Sequence, residues 1–163
     1  DREAFMLAFV LAVAVRLGLR ADATIRNLAV ALPWRAPLVL ALLFGPMCFA
    51  ALVWEGEPIW CQRFLSAYFL MMAGLYLLDV IAGGHAMTRH FVPGPRPRDS
   101  DALMARVMAV MYLGLVLLNE AMIQLPLTSW LIYFGLLPMG VNRVALALSR
   151  TVEMAWTKGY GRF

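Results

Sequence analysis

Charge is scarce in this chain. Only 15% of its 163 residues are Asp, Glu, Lys or Arg, against about a quarter in a soluble domain. So few charges leave little polar surface for a fold in water. Histidine is nearly absent. His85 and His90 stand five apart in a polar stretch, so a bis-histidine haem held between helices has no ligand set, and both read as solvated loop residues. The two cysteines, Cys48 and Cys61, form neither a CxxC nor a zinc spacing. Cys48 lies within an apolar run and Cys61 at its water edge; a disulfide between them is open, but both read as packing residues. There is no GxSxG, no HExxH, no P-loop and no Gly-rich nucleotide turn. Hydrolysis within a membrane would need a histidine paired with a serine or acid inside an apolar run, and neither histidine lies in one. No enzymatic activity, cofactor or metal is expected. Nor is there an internal repeat of the kind that supports alternating access, which argues against a transporter.

What the chain has is apolar length. Hydrophobic residues make up 63% of it, and mean hydropathy is +0.75. Two C-terminal runs, 104–123 and 129–149, are joined by Gln124-Leu125-Pro126-Leu127-Thr128. A bilayer core about 30 Å thick needs about 20 apolar residues at 1.5 Å rise, so both runs are long enough to cross, and the joint permits only a tight turn. Upstream runs at 4–19, 36–54 and 63–83 complete an all-α polytopic membrane domain of five transmembrane helices over 1–163. The first is short and broken by Arg16, which can snorkel to the interface. Ala21-Asp22-Ala23 imitates a signal-peptide cleavage site, yet the leading segment is not basic, so a first helix is the expectation. Trp34, Trp54 and Trp60 mark membrane boundaries. The stretch 84–101 is the main hydrophilic loop, extended and non-helical through Pro93-Gly94-Pro95-Arg96-Pro97-Arg98, with Asp99-Ser100-Asp101 supplying the cap of the next helix. Gly135 and Pro138 are expected to interrupt the last span, and a polar-aromatic tail through Trp156 follows it as an interfacial helix.

Orientation follows from the basic residues. Five spans place twelve of the fourteen Lys and Arg residues on one side, leaving Arg2 and Arg63 on the other. The asymmetry predicts an outside N-terminus and a cytoplasmic C-terminus in a bacterial inner membrane. The net charge of +4 belongs to these loops, where orientation and anionic lipid account for it, and no nucleic-acid partner is expected.

Few polar residues fall inside the spans. Asp79 lies in Leu77-Leu78-Asp79-Val80-Ile81, where an uncompensated charge costs about 2.5–3.5 kcal/mol at mid-bilayer, so a partner is expected. Arg143 has a comparable depth, counted from the start of its own span, and Arg106 is the second candidate. The expected outcome is a structural ion pair or partner contact, with a proton relay as the functional rival. Asn119 and Glu120 lie near the outer end of the fourth span, where Glu120 can reach the outer water and Asn119 can tie two helices by hydrogen bonds; with Trp130 they are the candidates for an outer-side helix contact. Ala4, Ala8 and Ala12 space small residues every fourth position on the first helix, which permits close packing.

Leu117-Leu118-Asn119-Glu120, followed by Thr128-Ser129-Trp130 and Phe134-Gly135-Leu136-Leu137-Pro138, resembles the bacterial intracellular septation proteins, a family of small inner-membrane-spanning proteins. Pro58-Ile59-Trp60 leading into 64–73 is similar to that family's junction between an outer loop and a helix. The chain departs from the pattern in the shorter spacing from Trp130 to Gly135 and in lacking a lysine between them. The resemblance implies a non-enzymatic envelope protein that contacts division or wall-synthesis proteins. The second reading is an accessory subunit of a large respiratory or photosynthetic membrane complex. A small transporter or channel subunit ranks below both.

Overall fold

The computed structural model describes residues 4–5, 7–9, 11–12, 57–83, 85–92, 94 and 97–159. Among these the chain is helical: α1 Pro58–Ala82, α2 Ala86–Phe91, a single 3-10 turn Arg98–Ser100, α3 Asp101–Ile123 and α4 Leu127–Thr157. The described positions between 4 and 12 are helical as well. Three of the helices are long and apolar enough to cross a membrane. The expected span at 36–54, the joint before it and Cys48 lie outside the described residues.

The boundaries of α1 follow from backbone chemistry. Pro58 opens it, where a missing N–H costs nothing and φ is already helical. Gly83 closes it at φ 68, donating its N–H to the Val80 carbonyl at 3.3 Å. The helix therefore begins five residues before the apolar run at 63. Its buried face repeats at helical spacing through Leu65, Phe69, Met72, Ala73 and Tyr76. That face meets Met104, Ala105, Met108, Ala109 and Tyr112 of α3, and the two helices run antiparallel. Small Ala73, Ala105 and Ala109, all nearly inaccessible, bring the backbones close. Tyr76 stacks on Tyr112 at 5.7 Å between ring centroids, and Phe69 tilts against the same ring at 6.2 Å. Cys61 is a buried thiol in this core.

After α3 the chain reverses within residues 124–126, and α4 returns beside it. Two expectations change here. Gly135 and Pro138 do not interrupt α4, which runs unbroken for 31 residues. The tail beyond Ser149 is no separate interfacial helix but the continuation of α4 to Thr157. Before α3, Arg98 is not extended but opens the 3-10 turn, and Ser100 does not cap α3 with its side chain: its hydroxyl donates to the Pro97 carbonyl at 2.7 Å and closes that turn instead.

The outward faces are apolar. Leu70, Leu77 and Ile81 on α1, Val110 and Leu117 on α3, and Leu136 and Met139 on α4 are all exposed. In water such continuous apolar surface would drive association. Against lipid tails it carries no penalty, which is why these helices suit a membrane.

Candidate functional site

The polar side chains buried in the bundle gather at its two ends. At the hairpin end, Gln62 and Ser66 lie one turn apart on α1 and face Asn119 of α3. The short turn after α3 then places Trp130, in the first turn of α4, back over Asn119. Trp130 Nε1 donates to Asn119 Oδ1 at 3.0 Å. Asn119 Nδ2 donates to the Gln62 carbonyl at 2.8 Å and to Ser66 Oγ at 2.8 Å. Ser66 Oγ in turn donates to Glu120 Oε1 at 2.6 Å.

The direction of every proton is set by chemistry. An indole N–H only donates and a backbone carbonyl only accepts, so the Asn119 amide has a single orientation. With Asn119 donating to it, the Ser66 hydroxyl sends its own proton to the carboxylate. The result is a chain of donors running Trp130, Asn119, Ser66, Glu120, each bond polarising the next toward the acid. Asn119 and Trp130 are fully buried, while Glu120 is half-buried. Aromatic rings cover the indole: Phe134 stacks on it at 5.2 Å, and Phe5 and Phe9 of the N-terminal segment tilt against it at 5.9 and 6.2 Å. One network thus joins α1, α3 and α4, and the rings bring in the N-terminal helical residues.

At the other end Asp79 folds the chain back on α1. Its carboxylate accepts from Met87 N at 3.3 Å, Thr88 N at 3.1 Å and Thr88 Oγ1 at 3.0 Å. These are first-turn amides of α2, which no intrahelical carbonyl can satisfy. The reversal requires two left-handed residues, Gly83 at φ 68 and His85 at φ 50. Arg89 then donates through Nε to Asp101 Oδ2 at 2.8 Å, which pins α2 to the start of α3.

The residues singled out in the sequence separate accordingly. Asn119, Glu120 and Trp130 come together in one network. Asp79 does not meet Arg143 or Arg106; both arginines are exposed, and no ion pair joins either to it among the described residues. The depths match only when counted from the apolar runs at 63 and 129, whereas α1 begins five residues earlier, at Pro58, and α4 at Leu127. Gln62 is level with Asn119, and hence with Trp130 and Leu131 across the turn, so Asp79 is level with residues near 147. That is four or five residues past Arg143, roughly 7 Å at the helical rise. His85 is half-buried at the cap of α2 rather than solvated in a loop, and His90 is in α2. Sequence reasoning missed Gln62, Ser66, Thr88 and the Arg89–Asp101 pair. Ser66 carried a signal as a polar residue inside the apolar run 63–83, whereas Gln62 enters through its backbone carbonyl, which any residue supplies.

Among the described residues no group of three or more His, Cys, Asp or Glu side chains is placed to hold a metal ion. What the two centres can do is tie helices, since their donors and acceptors point at one another. No family model matches the chain, and neither comparison with curated proteins nor comparison with solved structures finds a match.

Proposed function

We propose that the chain is a five-span bacterial inner-membrane protein, outside at its N-terminus and cytoplasmic at its C-terminus, that works without catalysis through protein contacts within the membrane. Its proposed role is that of an envelope or septation factor. The observation that carries the reading is the network of Trp130, Asn119, Ser66 and Glu120. Buried polar groups of this chain bond one another across three helices, and the outward faces are left to apolar side chains that suit lipid or a partner helix. The septation role rests on the same residues, since Asn119, Glu120 and Trp130 lie in the segments that resemble that family.

A fluorescent fusion expressed at native level tests the role. It should gather at mid-cell during constriction, and depletion of the protein should lengthen cells or delay septum closure. Uniform membrane distribution, normal division on depletion and migration with a respiratory or photosynthetic assembly on a native gel would replace this reading with that of an accessory subunit.

A further inference from the structure

Arg106 and Arg143 are the two residues whose expected partner is elsewhere. Across the turn joining α3 and α4, Arg106 lies seventeen residues before Ile123 and Arg143 sixteen residues after Leu127. At 1.5 Å per residue both stand about 25 Å from the hairpin turn, at one level on neighbouring helices. Both side chains are exposed. Arg106 continues the outward face of α3 that carries Val110 and Leu117, and Arg143 continues the outward face of α4 that carries Leu136 and Met139. On each helix, therefore, a lipid-facing apolar stripe turns basic at the same height. Arg150, also exposed, lies a further two turns along α4, about 35 Å from Leu127.

A hydrocarbon core about 30 Å thick that begins at the hairpin turn ends between these two levels. Arg106 and Arg143 then sit just inside the boundary, and their stems can carry the guanidinium groups outward to the phosphate layer. Among the described residues the acids of this end, exposed Asp99 and half-buried Glu153 included, form no ion pair with them. Asp79 is buried against Met87 and Thr88, and Asp101 against Arg89. The opposite end carries exposed Arg63 together with Glu57 and Glu120.

We infer that Arg106 and Arg143 each bind the phosphate of an anionic phospholipid headgroup, at the leaflet next to α2, and so set the depth of the α3–α4 hairpin. The planar guanidinium suits this task because it offers two parallel donors to one phosphate and keeps its charge at the boundary. The inference rests on the reading that these helices span a membrane.

The test uses the full chain purified in mild detergent and offered phosphatidylglycerol or phosphatidylcholine at equal mole fraction, with retained lipid read by native mass spectrometry. Phosphatidylglycerol should be retained preferentially. Arg106→Gln with Arg143→Gln should lose most of that preference, about five-fold for each arginine removed. Arg63→Gln, at the other end, should keep it, and Arg106→Gln and Arg143→Gln singly, which serve if the pair folds poorly, should each lose about five-fold. Equal retention of the two lipids, a preference that survives the glutamine pair, an equal loss on Arg63→Gln, or competition by inorganic phosphate at the lipid's concentration would each overturn it. Alkaline carbonate extraction of cell membranes separates the two readings. A chain that stays in the membrane but shows no lipid preference refutes only the headgroup site, whereas a chain released to the soluble fraction refutes the membrane reading as well.

Discussion

Trp130 makes two kinds of contact at once, a stacked ring against Phe134 and a donated hydrogen bond to Asn119, and substitution can separate them. Trp130→Phe keeps most of the stacking and removes the donor; it should lower stability by about 1 kcal/mol in reversible detergent unfolding, within the range measured for polar ties between membrane helices. Asn119→Leu should cost more, about 2 kcal/mol, because it strands the indole N–H and removes the donor to Ser66 and to the Gln62 carbonyl. The double variant should lose less than the sum of the two, and strict additivity would show that the network is not one unit. The same logic places Asp79 with Thr88. Asp79→Asn and Thr88→Val should couple in a double-mutant cycle, whereas Asp79→Asn and Arg143→Gln should add, since the arginine does not touch the carboxylate.

At the scale of elements, Gly94, ahead of α3 in the chain, stands against the far half of α4. Gly94 has φ 103, a backbone conformation that L side chains rarely adopt, and a Cβ placed there would stand 3.2 Å from Ser149 Oγ and 3.5 Å from Leu146 Cδ1. Gly94→Ala should therefore destabilise the fold by about 1–3 kcal/mol. Ser149→Ala should not rescue it, because the backbone strain remains after the hydroxyl is gone. Full rescue in thermal unfolding would show that the clash alone, and not the conformation, decides the cost. The continuity of α4 belongs to this scale too. Pro138 removes one N–H from the ladder and Gly135 adds freedom, yet the helix runs on, as a helix in lipid would, where freed backbone groups find no competing partner.

For the whole molecule, α3 separates the two ends of the bundle. Asp99 and Leu125 are both exposed and lie beyond its opposite termini, about 40 Å apart at the helical rise. In a chain carrying Cys48→Ser and Cys61→Ser, an impermeant thiol reagent should label Asp99→Cys only from the cytoplasmic side and Leu125→Cys only from outside. Ser100 would be a poor probe despite its place in the hydrophilic loop, because it is fully buried. Labelling of both positions from one side would remove α3 as a span. Labelling from reversed sides would keep the span and invert the orientation expected from the distribution of arginines.

The sequence alone was enough for the helical class, for three helices of membrane-crossing length and for the tight turn at 124–126, because these depend on local apolar length and on Pro and Gly chemistry. It was also enough to bring Asn119, Glu120 and Trp130 into view together, since a turn that short leaves the flanking residues nowhere else to go. Lateral and axial placement was decided only by the tertiary structure. Asp79 and Arg143 match in depth when counted from the apolar runs at 63 and 129, but α1 begins at Pro58, ahead of its run, so Asp79 is 21 residues into its helix and Arg143 only 16 into α4. That Asp79 is compensated by backbone amides rather than by an arginine has the same origin. The fold-back through Gly83 and His85 delivers two N–H groups and a hydroxyl to the carboxylate, and leaves the arginines on the outer faces. A hydrogen-bonded pairing between distant segments exists only once the backbone has been placed, and hydrophobic length does not carry that information.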